Sequence, residues 1–131
     1  MDITKFLSVI VNALEDVKAQ DIRVYDTHEK TSAFERVVVA TGTSNRQTRA
    51  LGRAVSDAVR EAGEKVQGIE GTETGEWVLV DCGHVIVHCM QPAIRQYYNL
   101  EELYGPETLN IKAVMAMRKG QLVPGDVTIV P

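Results

Sequence analysis

The stretch WVLVDCGHVIVH, Trp77 to His88, decides the fold. Two short apolar runs flank Asp81-Cys82-Gly83-His84, a segment with turn chemistry, so the whole stretch predicts an antiparallel hairpin. In the simplest register Val80 faces Val85, Val78 faces Val87, and these four valines share one side of the ribbon. The other side then carries Trp77 opposite His88, Leu79 opposite Ile86 and Asp81 opposite His84. Alternation with period two thus separates a plain core face from a face that holds the chemistry.

Around the hairpin, helical and strand patterns alternate. Ile3, Phe6, Leu7, Ile10, Leu14 and Val17 recur at three- and four-residue spacing behind Asp2, which predicts an amphipathic helix. DIRVYD reads as a short strand, THEKTS as a polar turn, and Phe34 to Ala40 as a buried strand, β-branched at its centre. In TGTSNRQTRALGRAVSDAVREAG, Ser44 is a helix N-cap and Gln47 completes a capping box. Ala50, Leu51, Ala54, Val55, Ala58 and Val59 form the expected buried stripe, and Gly63 stops the helix. KVQGIEG is a further strand, and Pro92 opens a helix, PAIRQYYNLEELYG, that ends at Gly105-Pro106. NIKAVMAMRKG and QLVPGDVTIVP are expected to add two short strands. The fold class is therefore α/β: one layered domain with a mixed sheet flanked by helices, spanning residues 1–105, with a C-terminal extension over 106–131.

The 131 residues suffice for one core. A formal net charge of −4 disfavours general nucleic-acid binding, which needs a basic face. No apolar run reaches membrane-spanning length and no signal-peptide pattern opens the chain. Two cysteines make no disulfide framework, so the expected compartment is the reducing cytoplasm.

Candidate chemistry narrows quickly. The turn ATGTSNRQ could cradle phosphate at a helix N-terminus, but it has no Lys-Ser or Lys-Thr after the glycine and lacks dinucleotide spacing. It resembles the opening of a nucleotidyltransferase site, which also needs paired carboxylates on a nearby strand for magnesium. Asp81 stands without that partner. Cys82, His84, His88 and Cys89 suggest zinc, yet the hairpin distributes them between the turn and two faces, so no metal or cofactor is expected. What remains is the polar edge of the hairpin. Trp77 and His88 lie beside a helix that brings Arg95, Tyr98, Glu101 and Tyr104. Aromatics mixed with Arg and His form the composition of a protein-docking hot spot.

TGTS, IEG, WVLVDCGHVIVH and RQYYNLEELY, in this order and spacing, resemble the ribosomal silencing factor (Iojap) family from Phe6 to Tyr104. The resemblance implies a nucleotidyltransferase-like fold without catalytic carboxylates, and a factor that is no enzyme. It implies binding to the large ribosomal subunit through ribosomal protein L-fourteen, a steric block on joining of the small subunit, and repression of translation. The alternatives are a large-subunit assembly factor using the same surface and a nucleotidyltransferase-like nucleotide-binding enzyme. No membrane or sequence-specific nucleic acid is implied, and the chain itself is expected as a monomer or weak homodimer. The family's characteristic positions fall on Thr41, Gly42, Ser44, Glu70, Gly71 and Asp81, read as structural. They fall also on Trp77, His88, Arg95, Tyr98, Leu100 and Glu101; all of these but Leu100, together with Tyr104, are read as the docking set. Two positions depart: His84 stands where the family has an acid, and Tyr104 where it has Trp. An acidic domain facing a basic ribosomal protein suits the charge balance.

Overall fold

The computed structural model describes residues 1–28 and 32–100. Helix α1 (Ile3–Asp16) is capped by Asp2, whose carboxylate accepts the Lys5 N–H at 2.8 Å. Strands β1 (Gln20–Asp26) and β2 (Arg36–Thr41) follow, then helix α2 (Asn45–Glu61), strands β3 (Gly68–Glu70), β4 (Trp77–Asp81) and β5 (Val85–Met90), and helix α3 (Pro92–Tyr98). Among the described residues the strands form one five-stranded sheet in the order β1-β2-β5-β4-β3. Only β2 and β5 pair in parallel; the other three pairings are antiparallel. The expected mixed sheet with flanking helices is the architecture found.

The two faces of the sheet have different cover. Val78, Val80, Val85, Val87 and Cys89 join Val38, Ala40, Ile22 and Val24 beneath α1 and α2, forming the main core. On the opposite face Tyr25, Val37, Val39, Met90 and Leu100 make a smaller cluster, with Trp77, Ile86 and Ile94 only partly buried against it. Cross-strand alternation had separated these faces correctly. The register within the hairpin differs by two residues: Trp77 pairs with Met90, Leu79 with His88, Val80 with Val87, and Asp81 with Ile86. Gly83, at φ +80°, provides the reason. A tight hairpin wants glycine at its first central position, so Gly83 and His84 form the tip and the Cys82 N–H bonds to the Val85 carbonyl at 2.9 Å.

Three further boundaries shift. Strand β2 begins at Arg36, because the Glu35 and Arg36 N–H groups both point at the His84 carbonyl, at 2.8 and 3.1 Å. On α2 the buried residues are Thr48, Leu51, Gly52, Val55, Ser56 and Val59, whereas Ala50, Ala54 and Ala58 are only partly covered. The helix is rotated so that Gly52 sits over β4, where an added Cβ would come within 2.6 Å of Val78. The third shift is in α3, where Asn99 adopts a left-handed conformation at φ 46° and interrupts the helix after seven residues. The turn delivers Leu100 to the second apolar cluster. The expected strands after Pro106, the Gly105-Pro106 terminus, Glu101 and Tyr104 lie outside the described residues.

Candidate docking site

Rows across the sheet set the geometry of the site. Thr41 is the neighbour of Met90, and Met90 of Trp77, so the end of β2 and the start of β4 lie at one end of the sheet. Here Trp77 is half-buried and its indole N–H donates to His88 Nδ1 at 3.0 Å. The two residues are diagonal neighbours rather than opposite partners. An indole nitrogen can only donate, so Nδ1 of the imidazole is the acceptor and the neutral ring carries its proton on Nε2. Tyr98 also packs against the indole, with ring centroids 4.9 Å apart, and Tyr97 meets Tyr98 edge-on at 5.0 Å. The four rings form a row with rising exposure: His88 4 %, Trp77 intermediate, Tyr98 53 % and Tyr97 81 %. Neither tyrosine is core. Among the described residues the buried tyrosine is Tyr25, read from sequence only as part of a strand.

Burial pushes the His88 imidazole down to about 4, from an ordinary 6.5. Between these values the unfolded chain takes up a proton that the folded protein refuses. The resulting stability is complete above about pH 6.5 and is lost as pH falls toward 4, by up to roughly 3 kcal/mol. His88→Gln removes this titration. Melting temperatures at pH 7 and pH 4.5 should therefore show a smaller acid-induced drop in the variant than in the wild type. Equal drops would show that His88 does not titrate as its burial requires.

Arg95, expected within the docking set, is turned inward and is 8 % exposed. Its Nη1 donates to the Asp21 carbonyl and to Thr41 Oγ, both at 2.7 Å, and Nη2 lies 3.5 Å from the Asp21 carboxylate. Asp21 itself has a left-handed backbone, φ 45°, at an irregularity in the β1–β2 pairing. Arg95 is the one buried residue of α3, whose N-cap Gln91 makes no side-chain capping bond. The guanidinium therefore fastens a short helix to the sheet and fixes where Tyr98 stands.

The residues read as structural mostly take such places. Ser44 Oγ accepts the Gln47 N–H at 3.0 Å. The return bond of the capping box goes one residue earlier than expected, from the Thr43 N–H to Gln47 Oε1 at 2.7 Å. Gly42 lies so close to α2 that a Cβ would sit 2.6 Å from Thr48 Oγ1. Asp81 Oδ1 accepts the Gly83 N–H at 2.9 Å and shapes the hairpin tip. Glu70 is exposed, and its side chain makes no hydrogen bond or ion pair among the described residues.

The glycine-serine turn and Asp81 do not converge. Asp81 pairs with Ile86, and Ile86 with Val37, at the end of the sheet away from Thr41 and Gly42. Val37 and Gly42 are five positions apart along the chain, about 16–17 Å when extended. Nor do the four suspected zinc ligands meet. Cys82 and Cys89 belong to the helix-covered core, where burial holds both thiols at about 12, while His88 faces the other way and His84 is exposed at the tip. Among the described residues no three of His, Cys, Asp and Glu gather as a metal-ligating group.

The family model described as ribosomal silencing factor during starvation matches residues 1–123. The chain belongs to the ribosomal silencing factor family. Within that family it is 50 % identical over 105 residues to ribosomal silencing factor RsfS of Chromobacterium violaceum, covering 80 % of this chain and 86 % of the relative. It is 34 % identical over 109 residues to RsfS of Bacillus subtilis, covering 83 % and 92 %. A crystal structure of a Chromobacterium violaceum protein superposes with a TM-score of 0.80 at 48 % identity, covering 84 % of this chain and 92 % of that one. The chain is also 33 % identical over 103 residues to chloroplastic protein Iojap of Zea mays, covering 79 % of this chain and 45 % of the longer relative.

Proposed function

We propose that this silencing factor docks on the large ribosomal subunit through ribosomal protein L-fourteen. Docking uses the Trp77–Tyr98 edge, and the bound domain blocks joining of the small subunit in the cytoplasm. The observation that carries the reading is the aromatic row, anchored in the sheet at His88 and open at Tyr97 and Tyr98. Rigid, partly exposed aromatics supply contact area at low entropic cost, which is what an interface anchor requires. Exposed Glu73 and Glu76 in the loop before Trp77 give this edge an acidic border suited to a basic partner. Arg95 contributes from beneath, by holding α3. Glu101 and Tyr104 complete the proposed set.

Silencing of this kind needs only overlap between the bound domain and the path of the small subunit. No reaction is required, and among the described residues Asp81 stands apart from the glycine-serine turn, which gives the enzyme alternative no metal-binding pair there. The test is a subunit-joining assay. Purified protein added to free subunits should co-sediment with the large subunit and lower the yield of joined ribosomes. Nucleotide turnover with magnesium should stay at background. Binding without any effect on joining would favour the assembly-factor alternative, and a saturable turnover abolished by Asp81→Asn would overturn the reading.

A further inference from the structure

The outer surface of α2 is used by nothing described so far. Four of the chain's eight arginines lie on this one helix: Arg46, Arg49, Arg53 and Arg60, with no lysine among them. At ~100° per residue the four Cα positions fall within roughly 60° of arc, and the first and last are about 21 Å apart along the axis. They form a straight stripe. Arg46, Arg53 and Arg60 are exposed and carry no ion pair among the described residues. Arg49 donates from Nε to the Thr72 carbonyl at 2.7 Å and from Nη2 to the Glu73 carbonyl at 2.9 Å. Those bonds leave its positive charge uncompensated.

The helix carries these four cations against Asp57 and Glu61, a balance of +2, in a chain whose net charge is −4. The rest of the chain therefore stands at −6, and charge is segregated rather than mixed. An exposed helix stabilised for its own sake interleaves acids and bases at three- and four-residue spacing. Here only Asp57 stands beside the stripe. A line of arginines on one helix face is the electrostatic footprint of a phosphate backbone, because the guanidinium fork matches phosphate oxygens and each contact releases a condensed counterion.

Position ties the stripe to docking. Arg46 and Arg49 lie at the N-terminal end of α2, and Arg49 grips the loop that runs into Trp77. The stripe thus begins at the end of the sheet that carries the aromatic row and runs away from it. We infer that, with the domain docked as proposed above, the α2 stripe lies along a phosphate backbone of the large-subunit RNA. Protein contact at the aromatic edge and RNA contact along α2 are then two parts of one footprint. The inference rests on the docking reading for its location and on the charge pattern for its chemistry.

The test uses the triple variant Arg46→Gln, Arg53→Gln, Arg60→Gln, which keeps good helix formers and spares Arg49. Its melting temperature should match the wild type. On purified large subunits its affinity should depend less steeply on salt, the log–log slope falling by about two for three lost phosphate contacts. The wild-type advantage should then shrink about sixteenfold between about 50 and about 200 mM salt. Isolated L-fourteen should bind both proteins equally. Protein-free large-subunit RNA at low salt should bind the wild type and Trp77→Ala alike, and the triple variant several-fold more weakly. Equal salt slopes on the subunit would overturn the inference, and so would an equal loss on isolated L-fourteen. If the wild type failed to bind large subunits, the docking reading would fall, and the RNA measurement alone would then decide for or against the stripe.

Discussion

Trp77→Ala is expected to leave a folded protein that binds large ribosomal subunits at least about thirtyfold more weakly, on the order of 2 kcal/mol. The indole is half-buried, so its removal should cost less folding stability than the about 3–5 kcal/mol of a fully buried aromatic. Part of that smaller cost comes from His88, whose Nδ1 loses the donor seen at 3.0 Å. Tyr98→Ala separates the two effects. Its ring is 53 % exposed and touches the indole from outside, so truncation should weaken binding with little change in melting temperature. Co-sedimentation beside thermal melting distinguishes the outcomes. Unaltered binding by both variants would remove the aromatic row from the interface, and a large melting loss in Trp77→Ala would mark the indole as core. In the joining assay, Trp77→Ala should leave joined ribosomes at the level seen without added factor.

Gly71→Val should produce the largest loss of stability. Gly71 has φ +86°, and an added Cβ would lie 1.9 Å from the Trp77 carbonyl oxygen. Both the backbone conformation and the space exclude a side chain. A cost of about 3 kcal/mol or more is expected, lowering the melting temperature by about 10 °C or more for a domain of this size. The clash falls on the carbonyl of Trp77 itself. The folded fraction should therefore bind large subunits less well too, so stability and docking decline together rather than one before the other. Even Gly71→Ala should be destabilised. A melting temperature equal to wild type for Gly71→Ala would show that the backbone relaxes freely and that this account is wrong.

Much of this site was legible in the sequence, and the parts that were not have identifiable causes. Alternation along Trp77–His88 separates the two faces of the hairpin, yet a slip of two residues preserves every face. The pattern therefore cannot fix the register. Glycine chemistry can, because Gly83 belongs at the first central position of the tip, and that signal was present. The end of α3 was also readable, since Asn99 is among the few non-glycine residues that adopt a left-handed backbone without great cost. A continuous apolar and aromatic pattern through RQYYNLEELY masked it. The inward turn of Arg95 had no local signal. It depends on the irregular start of β1, 74 residues earlier, where the Asp21 carbonyl is presented to the guanidinium. Pairings across that distance belong to the tertiary fold and leave no trace in spacing.

The parallel pairing of β2 with β5 bears on whether the docking edge could ever be a module. β3, β4 and β5 form a local antiparallel meander, and with α3 they contain Trp77, His88 and Tyr98. A fragment starting at Gly68 would hold every one of those rings. It would also bare the whole edge of β5, Val85 to Met90, a mostly apolar strand with a ladder of unpaired amides that invites self-association. Its valine face would lose α1 and α2 as well. The proposed docking edge therefore cannot be cut out, transplanted or inherited separately from the amino-terminal half. During synthesis the site becomes competent only after β5 has emerged and closed against a strand made some fifty residues before it.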